Sequence, residues 1–202
     1  LVYGIIKLIN FAHGEFFMVG AYTGVGASLL LPAAWPLALR LPLYLAAGAL
    51  GGAAIAMVVE RLAYRPIRHS GRLIALLTAI GSSLVLQNLF KFIRDGRQVS
   101  FPDDLGAIFE AHWMIGDLGI SQAKFAFLGL SLVLMLGLWW LVQYTRFGRA
   151  MRACSMDFET ARLMGINVNQ VILLTFALGG CFAGIAGVLQ GALYAVSPMM
   201  GF

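Results

Sequence analysis

The sequence predicts an all-α membrane protein, a polytopic helix bundle with about five spans or part-spans. Hydrophobic residues make up 60% of the 202 residues and charged residues 11%, with a mean hydropathy of +0.86. A soluble domain carries about 25% charged residues, so this chain could not cover its surface in water. Asp, Glu, Lys and Arg are absent from residues 73–90, 125–145 and 163–202. At about 1.5 Å per residue, each stretch is long enough to cross a bilayer as a helix.

Five apolar segments follow one another along the chain. The first, 16–31, is short; Pro32 closes it, and we expect it to continue a helix that breaks near Gly14. The other four are 37–59, 73–91, 125–145 and 171–196. Glycines at three- and four-residue spacing in these segments favour close helix packing, with a hinge as the alternative. They are Gly20, Gly24, Gly48, Gly52, Gly180, Gly184, Gly187 and Gly191.

The loops between the spans differ in charge and thereby predict an orientation. Residues 60–72 carry four arginines against one acid, and residues 144–170 carry four arginines against two acids. Residues 92–124 carry three basic residues against five acidic ones. Because cytoplasmic loops are enriched in Lys and Arg, we expect the first two loops to be cytoplasmic and the third to be external.

A polar break interrupts the apolar sequence near its start. Asn10, His13 and Glu15 follow one another within six residues, and Gly14 lets the backbone leave helical geometry there. Polar groups are costly at membrane depth, and the ends of broken helices in transporters supply hydrogen-bonding groups to a solute. The break therefore predicts part of a solute path. The alternative is that these residues only cap and link two helices.

A short amphipathic helix is predicted within the loop 144–170. Ser155 or Asp157 can cap its start, and Glu159 then lies in its positively polarised first turn. Gly165 occupies the position where a left-handed residue ends a helix. The residues that recur every three positions form a narrow apolar stripe: Phe158, Ala161 and Met164. The helix either lies on the lipid headgroups or docks a soluble partner.

Other classes of function find little support in the sequence. The arginines flank apolar runs rather than forming one patch, which argues against nucleic-acid binding. Cys154 and Cys181 do not make a disulfide scaffold, and no Cys/His set has metal-ligand spacing. A P-loop is missing, so we expect no ATP cofactor and no enzyme activity. An intramembrane hydrolase would need a histidine beside Ser82 or Ser83, whereas the nearest histidines lie in loops.

Four ordered segments resemble the LivH-type permease subunits of the branched-chain amino-acid ABC importer family. They are residues 3–15 (YGIIKLINFAHGE), 60–66 (ERLAYRP), 84–88 (LVLQN) and 146–153 (RFGRAMRA). A fifth, residues 159–165 (ETARLMG), is similar to the EAA loop of importer permeases. Thr160 departs from the second position of that motif, and its Ile-x-Leu-Pro ending is absent.

The resemblance implies one transmembrane permease domain over residues 1–202, truncated at both ends, in a bacterial inner membrane. It implies import of leucine, isoleucine or valine with three kinds of partner: a homologous second permease subunit, two cytoplasmic ATPase subunits and an external binding protein. Within the coupling loop 144–170, we expect Phe158, Glu159, Ala161 and Gly165 to shape the ATPase contact. Ala161 would let the partner approach closely, and Gly165 would end the helix.

The same resemblance implies a solute path through the polar break, with Asn10, His13 and Glu15 as the candidate residues. Gln87 and Asn88 lie toward the external end of their span, where a delivered solute would enter, although hydrogen bonds between helices explain them equally well. Two other functions remain open. One is a urea or short-chain amide importer permease, and the other is an ATP-independent secondary transporter or channel. The absence of acids from the spans after Pro32 argues against ion coupling.

Overall fold

The computed structural model describes residues 10–32, 34–68, 70–102, 112–115 and 118–201. Residues 1–9, which include the first part of the family-like segment 3–15, lie outside the described residues, and so does His69. The seven described α-helices are α1 (His13–Leu30), α2 (Leu37–Val59), α3 (Arg72–Ile93), α4 (Gln122–Tyr144), α5 (Arg146–Met156), α6 (Phe158–Leu163) and α7 (Val168–Leu193). Helix α2 continues without interruption into a π-helical turn, Glu60–Tyr64.

The predicted helical membrane bundle is confirmed. Among the described residues, four helices are long and apolar enough to cross a membrane: Leu37–Tyr64, Leu73–Ile93, Phe125–Tyr144 and Val168–Leu193. Helix α1 supplies the predicted shorter segment. A feature that the sequence did not predict is a small antiparallel hairpin before α4, formed by β1 (His112–Ile115) and β2 (Leu118–Ser121). Its register places His112 opposite Ser121 and Ile115 opposite Leu118.

Helices α1, α2 and α7 pack backbone against backbone through glycines. A Cβ on Gly184 would fall on the carbonyl oxygen of Gly48, and a Cβ on Gly52 would fall on that of Gly180. A Cβ on Gly20 would fall on the Cα of Gly184. The predicted packing role of these glycines is therefore confirmed. Further along, a Cβ on Gly24 would meet Val188, so α1 runs parallel to α7, whereas the pairs of Gly48 and Gly52 show that α2 runs antiparallel to it.

Helices α3 and α4 lie outside this three-helix bundle. Helix α3 touches α1 and the π-helical end of α2. None of the residues in the membrane-crossing window of α4 is buried. The described contacts of α4 are chiefly with α5 and with strand β2. Both helices therefore present large apolar faces outward.

Helix α5 lies within the predicted loop 144–170 and was not itself predicted from the sequence. The hydroxyl oxygen of Thr145 caps its start by accepting a hydrogen bond from the amide of Gly148 at 2.9 Å. Met151 and Cys154 are buried on one side of the helix. On the other side, the guanidinium of Arg152 donates to the carbonyl oxygens of Val142 and, at 3.2 Å, of Gln143. Arg152 thus satisfies carbonyls that the end of α4 leaves open.

The chain after α7 turns back toward the start of α1. Val196 forms a two-bond bridge with Val99, with N···O distances of 2.7 and 3.0 Å. The turn that follows brings Gly201 against Gly14, so closely that a Cβ on Gly14 would fall on the carbonyl oxygen of Gly201. The non-helical turn after α7 therefore meets the first turn of α1.

Candidate solute path and coupling helix

The start of α1 is anchored by Asn10. Its side-chain oxygen accepts a hydrogen bond from the amide of Ala12 at 3.0 Å, which is the local turn that Asn favours. The same oxygen accepts from the hydroxyl of Tyr64 at 2.8 Å. Tyr64 is buried, with its ring centroid 5.1 Å from that of Phe176. Asn10 therefore ties the start of α1 to the π-helical end of α2 and, through Tyr64, to α7.

Glu15 is the central polar residue of the bundle. Its side chain is fully buried, and its Oε1 accepts hydrogen bonds from Ser83 Oγ at 2.9 Å and from Gln87 Nε2 at 2.8 Å. Ser83 and Gln87 are themselves buried, and their four-residue spacing places both on the same face of α3. Glu15 Oε2 is also buried, and it accepts no hydrogen bond from the described residues. A buried carboxylate with half of its acceptor capacity open is costly, which makes a functional role the default hypothesis.

The Glu15 cluster, which comprises Glu15, Ser83 and Gln87, lies far from the predicted cytoplasmic start of α3. Ser83 and Gln87 follow Arg72, the first residue of α3, by 11 and 15 positions, or about 17 and 22 Å at 1.5 Å per residue. The non-helical turn at Gly201 reaches Gly14, directly beside Glu15. Irregular backbone at membrane depth is tolerated where it is buried in protein or lines a cavity. Transporters place such interruptions at their solute sites.

Three residues predicted for the path do not join this cluster: Asn10, whose contacts with Ala12 and Tyr64 are described above, His13 and Asn88. His13 is exposed at the start of α1, with its ring edge-on to Phe16 at 5.7 Å between centroids. Asn88 is exposed and donates at 2.7 Å to the carbonyl of Leu84 in its own helix. Asn88 turns away because successive side chains in a helix diverge by about 100°. Sequence reasoning missed Ser83 as a path residue; its four-residue spacing from Gln87 was the available signal.

Asp157 caps the start of α6, the helix predicted to couple to the ATPase. Its carboxylate accepts hydrogen bonds from the amides of Glu159 at 3.3 Å and Thr160 at 2.9 Å, and also from the Thr160 hydroxyl. These bonds, with the Thr160 hydroxyl contributing most, hold the pKa of Asp157 below its ordinary value. Ser155, the alternative cap, instead donates to the carbonyl of Arg152.

Gly165 ends α6 as the sequence predicts. Its φ is +80°, in the left-handed region that favours glycine. Its amide donates to the carbonyl of Arg162 at 2.9 Å, and the next amide, of Ile166, donates to the carbonyl of Ala161 at 3.0 Å. These bonds satisfy carbonyls that the helix end would otherwise leave open, and they turn the chain toward α7.

The apolar stripe of α6 faces the protein itself. Ala161 is 3% exposed, and it lies with half-buried Phe158 in the apolar cluster that also holds Met151 and Ile172. Ala161 therefore seats the helix on α5 and α7, which corrects the expectation that it admits a partner surface. Met164 leaves the stripe because the helix ends one residue earlier. The surface left open for a partner carries exposed Glu159, Leu163 and Met164, the last two 87% and 78% exposed.

No group of three or more His, Cys, Asp or Glu that could hold a metal ion occurs among the described residues. The groups described above are hydrogen-bonding side chains and helix ends, which can bind a polar solute.

Residues 1–202 match the family model described as branched-chain amino acid transport system / permease component. The chain belongs to this family. It is 40% identical over 217 residues to the high-affinity branched-chain amino acid transport system permease protein LivH of Escherichia coli K12, covering all of this chain and 67% of that protein. It is 37% identical over 206 residues to BraD of Pseudomonas aeruginosa, with the same coverage. No solved structure matches.

Membership in this family shows a transport permease subunit that works with partner subunits. With its four apolar spans, the chain is a multi-pass protein of the bacterial inner membrane. The fold and the permease function predicted from the sequence are thereby confirmed.

Proposed function

We propose that this permease carries leucine, isoleucine and valine inward across the membrane, using ATP hydrolysed by two cytoplasmic ATPase subunits. A second, homologous permease subunit completes the path, and an external binding protein delivers the solute. The names of the relatives support the choice of solute, since the LivH and BraD proteins are described as high-affinity branched-chain amino acid permeases.

The observation that carries the proposal is the open oxygen of Glu15. An aliphatic amino acid needs an anchor for its ammonium group and an apolar lining for its side chain. Glu15 Oε2 is an acceptor without a partner among the described residues, so it suits an ammonium group. Apart from Ser83 and Gln87, the buried residues close to Glu15 in α1 and α3 are apolar and include Phe16, Ala79 and Leu86. Urea offers no cation to Glu15, so this arrangement favours an amino acid.

The coupling helix lies where force from an ATPase subunit would enter the bundle. Helix α6 is seated on α5 and α7 by Ala161 and ends at Leu163, five residues before α7 begins. Helix α7 then runs along α1 as far as the contact of Gly187 with the backbone of Phe17. A push on α6 would therefore reach α1 through α7. If α1 moves relative to α3, Ser83 and Gln87 release Glu15 and open the path.

Reconstitution of the complex tests the proposal. The permease would be purified with its partner permease and ATPases, placed in liposomes, and supplied with the binding protein on the outside. We expect uptake of radiolabelled leucine, isoleucine and valine that requires ATP at the ATPase subunits and that excess urea does not inhibit. Uptake without ATP would instead support a secondary transporter. Uptake of urea in place of leucine would support the amide importer.

A further inference from the structure

A basic cavity of about 240 Å³ lies at the end of the bundle predicted to be cytoplasmic. It opens between the π-helical end of α2 and the start of α7. Its lining includes Glu60, Arg61 and Arg65 from the end of α2 and Asn169, Gln170 and Leu173 from α7. Glu60, Arg61 and Arg65 belong to the segment 60–66 that resembles the family, but neither the resemblance nor the coupling helix assigns this cavity a role.

Glu60 is the one carboxylate among these lining residues, and an ion pair neutralises its charge. Glu60 is 1% exposed and forms an ion pair with the guanidinium of Arg68. The other arm of that guanidinium donates to the side-chain oxygen of Asn169 at 2.6 Å, which links the end of α2 to α7. Burial lowers the pKa of Arg68, the pair with Glu60 raises it, and the positive charges of Arg65 and Arg162 lower it again.

Arg61 and Arg65 consequently add positive charge that the cavity does not balance. Both side chains are exposed, and neither guanidinium forms a hydrogen bond or an ion pair with another described residue. Their four-residue separation along the π-helical turn brings both to the side of α2 that faces Asn169 and Gln170. Two open guanidinium groups beside amide side chains and a helix start form an environment for an anion.

The depth of the cavity along the membrane-crossing helices indicates that the anion belongs to a lipid headgroup. The arginines lie at the end of the membrane-crossing helix Leu37–Tyr64, whereas Leu173 lies inside the crossing helix Val168–Leu193. Leu62, next to Arg61, is 74% exposed on the apolar surface. The cavity therefore spans the boundary between the apolar and the polar zone, which is the depth of lipid headgroups.

We propose that this cavity binds the phosphate group of an anionic phospholipid of the inner leaflet. Guanidinium groups bind phosphate oxygens in bidentate fashion, and basic pockets between helices on the cytoplasmic side hold lipid headgroups. The bound phosphate bridges Arg61 and Arg65 to the side-chain amides of Asn169 and Gln170 at the start of α7. It therefore strengthens the link between α2 and α7 near the turn that joins the coupling helix α6 to α7.

Lipid binding to the intact complex tests this site. The purified complex would be placed in phosphatidylcholine nanodiscs with increasing fractions of phosphatidylglycerol, and retained lipid would be counted by native mass spectrometry. The variant Arg61→Gln/Arg65→Gln removes the open charges. Arg146→Gln/Arg149→Gln is the matched control, since it removes two exposed arginines from the same end of the protein but outside the cavity. We expect the first pair to weaken phosphatidylglycerol retention at least about tenfold, since the loss of even one of its two charge-assisted contacts has an effect of that size, and the second pair to leave it unchanged.

Four results would overturn the proposal. Equal retention of phosphatidylcholine and phosphatidylglycerol would exclude a site that selects an anionic phospholipid. Equal losses in the two double variants would mean a general surface-charge effect. Displacement of the lipid by millimolar inorganic phosphate would assign the cavity to a soluble anion. Loss of the ATPase subunits from Arg61→Gln/Arg65→Gln with lipid retention intact would mean that the arginines face acidic residues of that partner.

Discussion

The α1–α2–α7 bundle and helix α3 are joined to the protein in contrasting ways. The three helices of the bundle meet through glycine backbones that leave no room for a Cβ, as at Gly48 and Gly184. Helix α3 is held instead by side chains: the Glu15 cluster, and Phe90 stacked on Tyr22 at 5.2 Å between ring centroids. A Cβ added to Gly81, the glycine of α3, would meet no neighbouring atom within 4 Å.

This difference separates a rigid part of the protein from a part that can move. In lipid, where burial provides little drive for association, close backbone contact is a main source of helix packing. Contacts between close-packed backbones leave few alternative arrangements. Hydrogen bonds from Ser83 and Gln87 can be exchanged for bonds to a solute. We therefore expect α3, rather than α2 or α7, to change position during transport.

The largest expected effect comes from filling the glycine contact. In Gly184→Leu, a side chain would meet the backbone of Gly48, which cannot move aside without separating α2 from α7. Overpacking of this kind costs about 1–3 kcal/mol or more. We expect little monodisperse protein by fluorescence-detected size exclusion in detergent. The control is Gly129→Leu in α4, where a Cβ meets nothing within 4 Å. Equal yields from the two variants would contradict the distinction between a rigid bundle and loosely attached helices.

Glu15→Gln tests whether the attachment of α3 is also the solute path. The substitution keeps the size of the side chain but removes the charge that would bind an ammonium group. We expect leucine uptake by the reconstituted complex to fall at least about tenfold, since a charge-assisted hydrogen bond contributes about 1.5–3 kcal/mol. Assembly with the partner subunits should be retained.

Asn88→Ala is the control for Glu15→Gln. Asn88 belongs to α3, like the partners of Glu15, but bonds only to the carbonyl of Leu84 among the described residues, so uptake should change less than about twofold. If uptake and assembly fell in parallel in Glu15→Gln, Glu15 would be a structural link between α1 and α3 and not a solute anchor.

The contrast between the two regions also explains which features could be predicted from the sequence. Charge-free runs and glycine spacing are local patterns, so they revealed the spans and the packed faces. The partners of Glu15 depend on the register between α1 and α3, which no local pattern specifies. Helix α5 was missed because its arginine-rich sequence suggests a loop, although Phe147, Met151 and Cys154 recur at helical spacing.

Gly165→Ala tests whether force from the ATPase subunits reaches the α1–α2–α7 bundle through the turn between α6 and α7. At a φ of +80°, alanine is strained by roughly 1 kcal/mol, and relief of the strain would redirect the chain between α6 and α7. We expect ATP hydrolysis to continue while leucine transported per ATP falls severalfold. Gly96→Ala is matched in strain, with a φ of +69° in the loop predicted to be external, and should leave this ratio unchanged. A similar fall in both variants would attribute the effect to general destabilisation.

The smallest expected effect concerns the cap of α6 and its dependence on pH. Because hydrogen bonds lower the pKa of Asp157 in the folded protein, its contribution to stability is complete above the ordinary Asp pKa and is lost as pH falls through the lower, folded value. Asp157→Asn retains capping ability but cannot titrate. At each pH, hydrogen exchange of the Glu159 and Thr160 amides would be compared between the wild type and this variant. We expect similar protection at neutral pH and faster exchange in the wild type only under acid conditions below about pH 4. A constant ratio down to about pH 3 would show that α6 is held by its seat on α5 and α7, with little contribution from its cap.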